Sequence, residues 1–292
     1  MRVGVVDIGT NSMRLLITDG GIETGRWVEV TGLGRGVDGS GELSPEAIGR
    51  TLPVLRRYGI LMDTHGVEVR TAIATSACRD AANREEFFDL AERALGVRPT
   101  LISGEEEARL AYEGATAGWD LEEPVVVCDI GGGSTELVTA DTELSVDVGS
   151  VRLTETHLPL RPAAPADLAA ARRHAAEFFT APQVPPPATL VGVAGTWTSL
   201  AAIDLRLAVY EREAVHGHRI LRERLVDLVE HLATLTLEET RRIPSLDPAR
   251  APVILGGAVV AEAVMLILDA AECLISERDT LDGVASRLLH LR

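Results

Sequence analysis

The sequence predicts an α/β fold of two duplicated mixed domains with a cleft between them, and three observations carry that expectation. A short phrase is written twice, as Val5-Val6-Asp7-Ile8-Gly9-Thr10-Asn11-Ser12 and as Val127-Cys128-Asp129-Ile130-Gly131-Gly132-Gly133-Ser134-Thr135, each an apolar strand that ends in an acid and breaks into a glycine turn. The elements that follow each copy recur in similar order. At 292 residues and 46% hydrophobic composition, the chain is longer than one ordinary core requires and apolar enough to fill two.

In the first half, apolar alternation gives strands near 2–8, 13–18 and 26–32. Ser44-Pro45 then opens a helix over 44–61, with Ser as N-cap and Pro in the first turn, while Pro53 inside it implies a kink or an earlier break. A strand near 67–74, a helix near 84–95, a strand near 97–102 and a helix from about 105 follow. The second half repeats the pattern with strands near 124–130, 134–140 and 144–149, a helix near 166–179 and a strand near 188–193. Helices near 196–208, 222–233 and 254–269, a strand near 271–275 and a last helix near 283–290 complete it. The acidic, turn-prone segment Gly118 to Glu123 is the expected boundary, giving domains 1–119 and 120–292, with the last helix able to pack back on the first domain. The run Pro182-Gln183-Val184-Pro185-Pro186-Pro187 precedes a strand that the repeat requires, so it reads as a stiff loop inside the second domain.

Composition removes several function classes. A net charge of −16 opposes non-specific binding to nucleic acid or an anionic membrane. No apolar run approaches the roughly 18 residues of a membrane span, and Met1-Arg2 leads into the first strand without a signal-peptide pattern, so a cytoplasmic protein is expected. The three cysteines are widely spaced with no CxxC, which argues for buried, inert thiols. The seven histidines show no HExxH, so a histidine-metal hydrolase is not indicated. All 28 basic residues are Arg, a bias that base composition explains. Its consequence stands regardless: P-loop NTPases and protein kinases both need a phosphate-binding Lys, and both are excluded.

The chemistry-bearing residues converge on phosphate. Glycine turns let backbone N–H groups approach a phosphate oxygen, which points to Gly9, Thr10, Asn11 and Ser12 in one copy and Gly131, Gly132, Gly133, Ser134 and Thr135 in the other. Asp7 and Asp129 close their strands beside these turns, either as simple turn formers or as holders of a cation, and Glu136 on the next strand is placed to face back toward Asp129 and share Mg²⁺. Arg79, at a strand end in Thr75-Ser76-Ala77-Cys78-Arg79, offers a planar fork for phosphate oxygens. Ser150 and Arg152 after a later strand, and Gly195-Thr196 at a helix start, are further anion-binding candidates. In Ser103-Gly104-Glu105-Glu106-Glu107, capping and the helix dipole account for the first acids. Glu107 instead shares a face with Leu110, Ala111 and Gly114, so it is either an acid tolerated at an edge or a general base held inward.

With these segments in hand, the chain resembles the exopolyphosphatase/guanosine pentaphosphate phosphohydrolase family, within the actin and sugar-kinase superfamily. The matching segments are Asp7 to Ser12, Thr75 to Arg79, Ser103 to Ala108, Asp129 to Glu136, Gly149 to Arg152, Gly195-Thr196, Val215-His216-Gly217 and Arg250 to Gly257. The resemblance implies a ribonuclease H-like (actin-like ATPase) fold in each domain and Mg²⁺-assisted attack of water on a terminal phosphate. It places the base on Glu107, metal handling on Asp129 and Glu136, and phosphate binding on Asn11, Ser12, Arg79 and the glycine turns, while Asp7 stays a metal candidate on its strand-end position alone. The implied substrates are inorganic polyphosphate first and guanosine pentaphosphate second, with a homodimer as a further expectation. Longer members carry an additional C-terminal helical domain, so short polyphosphate is the expected preference here. A kinase or ATPase on the same fold, and a non-catalytic guanosine tetraphosphate-binding regulator, are the rival readings.

Overall fold

The computed structural model describes residues 1–179, 184 and 186–290, so the expected loop over 182–187 lies outside the described residues at 182, 183 and 185. The chain forms two compact units, Met1–Gly114 with Thr280–Arg292, and Ala115–Asp279. The first contains β1 (Arg2–Ile8), β2 (Ser12–Asp19), β3 (Ile22–Val30), α1 (Val37–Ser40), α2 (Pro45–Thr64), β4 (Val69–Ala74), α3 (Ser76–Asp80), α4 (Arg84–Leu95), β5 (Thr100–Leu101) and most of α5 (Gly104–Thr116). The second contains β6 (Val125–Ile130), β7 (Thr135–Val138), β8 (Glu143–Val146), α6 (Ser150–His157), α7 (Pro165–Phe178), β9 (Thr189–Val193) and α8 (Ala194–Asp204). It continues with α9 (Arg212–Val215), β10 (Arg219–Leu221), α10 (Arg222–Thr234), α11 (Leu237–Arg241), α12 (Ile254–Ile267) and β11 (Glu272–Ile275). The last helix, α13 (Thr280–His290), belongs to the first unit.

Among the described residues, the first unit has a five-stranded sheet in the order β3-β2-β1-β4-β5, and the second a six-stranded sheet in the order β10-β11-β9-β6-β7-β8. Their centres are alike. β1 is antiparallel to β2 and parallel to β4, as β6 is antiparallel to β7 and parallel to β9. Both central strands are apolar on both faces, because helices cover the sheet on either side. Each therefore delivers its terminal acid and glycine turn at a fixed point of a rigid sheet.

The cores explain the rest of the architecture. In the second unit α12 is buried from Ile254 to Met265, so it runs through the interior and shows no polar face. Its one acid in that stretch, Glu262, is held by Arg172 through a two-pronged contact of 2.7 and 2.9 Å. Gly192 on β9 leaves room for the Trp197 ring, which a Cβ there would meet at 2.6 Å. In the first unit Leu110, Leu281, Val284 and Ala285 pack with Val3, Val5 and Leu16 under one face of the sheet. The three cysteines are buried and free, and burial pushes the Cys78 thiol up to about 12. No described helix is long and apolar enough to cross a membrane.

Several elements differ from the sequence-based expectation. The helix opened by Ser44 runs without a break through Pro53 to Thr64. Pro53 and the residue four before it, Gly49, both lie on the solvent side, where water can bond the carbonyl that proline cannot satisfy. The strand expected near 97–102 pairs only at Thr100–Leu101, since Pro99 has no N–H to donate. Residues 150–157 form α6, and 219–221 form a sheet-edge strand too short to show a period.

Gly283 on α13 sits against the α5 backbone, where a Cβ would meet the Leu110 carbonyl oxygen at 2.1 Å. Gly283→Ala is expected to destabilise the protein by about 2 kcal/mol, because neither backbone can yield. Thermal or urea denaturation of the variant checks this, and an unchanged midpoint would remove the close packing.

Candidate functional site

The two glycine turns are built alike. In the first, Gly9 N–H donates to Ser12 O at 3.1 Å; in the second, Gly131 N–H donates to Ser134 O at 3.0 Å. A Cβ on Gly9 or Gly131 would meet those same carbonyl oxygens at 2.9 and 3.2 Å, which is why glycine stands at both closures. The carbonyls at the tip of each turn are tied back. Thr10 O accepts from Gly34 N–H at 2.8 Å, and Asn11 O from the N–H groups of Thr31 and Gly32 at 3.0 and 2.9 Å. In the second turn Gly131 O accepts from Ser150 N–H at 2.9 Å, and Gly132 O from Val151 N–H at 2.8 Å.

The residue opposite each strand-end Asp differs in charge. Asp7 pairs in register with Arg14, and Asp129 with Glu136. Asp7 is only 2% exposed, and Arg14 Nε donates to its Oδ2 at 2.8 Å. A carboxylate already neutralised by a guanidinium offers little to a divalent cation, so Asp7 fits the metal role poorly. Asp129 and Glu136 are 4% and 1% exposed and share one face, with Ser145 Oγ donating to Glu136 Oε1 at 3.0 Å. Like charges directly opposite on a sheet repel, the more so when buried, and a hard divalent cation relieves that repulsion. These two carboxylates fit Mg²⁺. No group of three or more His, Cys, Asp or Glu able to hold a metal occurs among the described residues, so the fit is to an ion that keeps several waters.

Glu107 faces inward from the first turns of α5 at 9% exposure, flanked by buried Leu110 and Ala111. Ser103 Oγ accepts from Glu106 N–H at 3.1 Å and caps the helix, which fixes the register that turns Glu107 in. Arg79 Nη1 donates to Glu107 Oε2 at 2.8 Å and to Ile102 O at 3.2 Å. Burial raises the Glu107 carboxyl above the usual glutamate range, Asp7 adds to the rise, and Arg79 and Arg14 offset part of it. A buried carboxylate of raised basicity on a fixed arm can take a proton from water. Arg79, expected on phosphate, is in this structure the partner of that carboxylate.

The remaining candidates divide between turn and support. Thr10 Oγ1 accepts from Ala77 N–H at 3.2 Å, and Asn11 Oδ1 is buried with no hydrogen-bond partner among the described residues. Thr135 is fully buried, with Oγ1 donating to Val148 O at 2.6 Å. Thr196 Oγ1 donates to Ile130 O at 3.0 Å, and Ser150 Oγ to Gly131 O at 3.2 Å. Arg152 Nη1 donates to Asp147 O at 3.3 Å. At Gly195 the Arg250 guanidinium takes the place of a side chain, donating to Gly195 O at 2.6 Å and Ser199 Oγ at 3.2 Å. Sequence reasoning missed Arg14 and Arg250. The separation of seven residues between Asp7 and Arg14, which recurs between Asp129 and Glu136, was the signal for Arg14. Arg250 carried none beyond its family-like segment.

A sequence model of the Ppx/GppA phosphatase family matches residues 26–291. Exopolyphosphatase 2 of Mycobacterium tuberculosis is 36% identical over 98% of this chain and 98% of its own length. A crystal structure described as an exopolyphosphatase-like protein superposes with a TM-score of 0.95 at 34% identity, covering 100% of this chain and 99% of that one. A Ppx/GppA family member from Aquifex aeolicus gives 0.83 at 30% identity over 100% of this chain and 99% of its own.

Arg14→Ala leaves the buried Asp7 carboxylate without its register partner and is expected to cost on the order of 3 kcal/mol at neutral pH. Arg14→Lys, which keeps the charge, is expected to lose less. Urea denaturation of the two variants measures the difference, and equal stability of Arg14→Ala and wild type would deny the pair its role.

Proposed function

The chain belongs to the Ppx/GppA phosphatase family, and we propose that it is a cytoplasmic exopolyphosphatase acting on the terminal phosphate of inorganic polyphosphate, with guanosine pentaphosphate as a second substrate. The observation that carries the reading is Glu107, a carboxylate buried on the inner face of α5 and held by Arg79. A water oxygen bonds to the terminal phosphorus as the bridging P–O bond breaks. Glu107 orients this water and takes its proton, and the shortened chain leaves with the electron pair of the bridging oxygen.

Phosphoryl transfer depends chiefly on alignment and charge stabilisation, and the glycine turns supply both through N–H groups fixed on rigid strands. Asn11, Ser12 and Ser134 add side-chain donors at those turns. Asp129 and Glu136 would hold Mg²⁺, which when bound supplies positive charge to phosphoryl oxygens. Arg79 favours the ionised form of the Glu107 carboxyl against the effect of burial and holds it in one rotamer. The two named substrates share one reacting unit, a terminal phosphoanhydride, so the same groups serve both.

Glu107→Gln is expected to lower phosphate release from polyphosphate by on the order of 10²–10⁴ while substrate binding persists. Phosphate release by this variant at the wild-type rate would remove Glu107 from the reaction. The base must be ionised, so kcat is expected to fall on the acid side with a limb above the usual glutamate range. Arg79 favours the charged form, so Arg79→Gln should move that limb to higher pH. A limb that stays in place contradicts the pairing. Asp129→Asn is expected to raise the Mg²⁺ concentration needed for half-maximal rate by about tenfold or more; titration of activity and of Mn²⁺ binding reads it.

A further inference from the structure

The back of the second glycine turn is held at three successive carbonyls. Ile130 O accepts from Thr196 Oγ1 at 3.0 Å. Gly131 O accepts from both the N–H and the hydroxyl of Ser150, at 2.9 and 3.2 Å. Gly132 O accepts from the N–H groups of Val151 and Arg152 at 2.8 and 3.2 Å. The free N–H groups of the α6 N-terminus, which a helix ordinarily leaves for water or an anion, are spent on this turn. Because a trans peptide points its N–H opposite to its C=O, tying Gly131 O and Gly132 O to α6 turns the N–H groups of Gly132 and Gly133 away from that helix.

Glycines make the contact close enough. A Cβ on Gly149 would meet Gly132 C and O at 2.6 Å and Gly133 N at 2.8 Å, all backbone atoms. Behind α6, a Cβ on Gly256 would meet Thr154 Oγ1 at 2.3 Å and Ser150 O at 2.7 Å, and one on Gly257 would meet Thr196 Cγ2 at 2.6 Å. The buried helix α12 thus backs both Ser150 and Thr196, and the turn rests on the core of its unit.

We infer that Gly149, Ser150 and Thr196 are positioning residues, not phosphate ligands: they clamp the carbonyls of residues 130–132 from behind and aim the Gly132 and Gly133 amides at the substrate phosphate. Ser150 and Thr196 thereby leave the set of ligands that their sequence positions suggest. Preorganised donors stabilise charge without reorganisation during the reaction, so the clamp acts on turnover more than on binding. The inference rests on the exopolyphosphatase reading for its kinetic effect only.

The test uses Gly149→Ala and Ser150→Ala in the full chain, with phosphate release from polyphosphate and amide hydrogen exchange measured on each. Gly149→Ala is expected to cut kcat on the order of 100-fold, since it must displace the turn backbone. Ser150→Ala, which removes one hydroxyl bond and keeps the backbone bonds, is expected to cut kcat about tenfold. KM should change less than about twofold in both. A rise in KM with kcat preserved would make Ser150 a substrate ligand and overturn the clamp. Wild-type enzyme that releases no phosphate would refute the exopolyphosphatase reading, and the exchange measurement then judges the clamp alone. In Gly149→Ala the Ser150 and Val151 amides are expected to exchange at least about tenfold faster than in wild type while distant core amides do not change. Unaltered exchange at those two amides would overturn the inference whatever the activity.

Discussion

One main-chain hydrogen bond, Gly9 N–H to Ser12 O in the first unit and Gly131 N–H to Ser134 O in the second, closes the turn on which each half of the molecule depends. It lies at the end of a strand buried on both faces, so its position is set by the sheet and not by the loop. Closure leaves the tip carbonyls of each turn in need of donors. The chain meets that need with residues 31–34 in one unit and the start of α6 in the other, two unlike segments solving one problem. The outcome is the same: the tip carbonyls of both turns are bonded to the protein behind them.

Duplication sets the frame, and sign reversal at one position differentiates its halves. The partner of the strand-end acid is Arg14 in the first copy and Glu136 in the second. An acid beside an arginine has its counter-charge at hand, whereas an acid directly opposite an acid repels its neighbour. The first unit instead places Glu107 and Arg79 side by side, with Asp7 and Arg14 acting on the Glu107 charge. Burying four charged groups in one region is costly unless they compensate one another, and two acids with two guanidinia do so.

Much of this was legible in the sequence, because the signals were periodic. The duplicated phrase placed both turns, apolar alternation placed the central strands, and the helical face shared with Leu110 and Ala111 left Glu107 either at an edge or held inward, of which the structure has the inward one. What escaped was aperiodic or non-local. Pro53 follows Gly49 by one helical turn on the solvent side, a compensation that a rule about proline alone misses. The three-residue strand Arg219–Leu221 is defined by its partner β11 and not by its own pattern. Ser150 and Thr196 carry the hydroxyl and helix-start features of anion ligands, yet their hydroxyls bond carbonyls distant in sequence, which no local pattern records.

The most direct measurement is amide chemical-shift mapping by NMR with tripolyphosphate added, with and without Mg²⁺. The Gly132 and Gly133 amides, together with those of Asn11 and Ser12, are expected to shift on binding, while Ser150 and Val151, committed to carbonyls at the back of the turn, hold their positions. Large shifts at Ser150 and Val151 with Gly132 and Gly133 unmoved would contradict it.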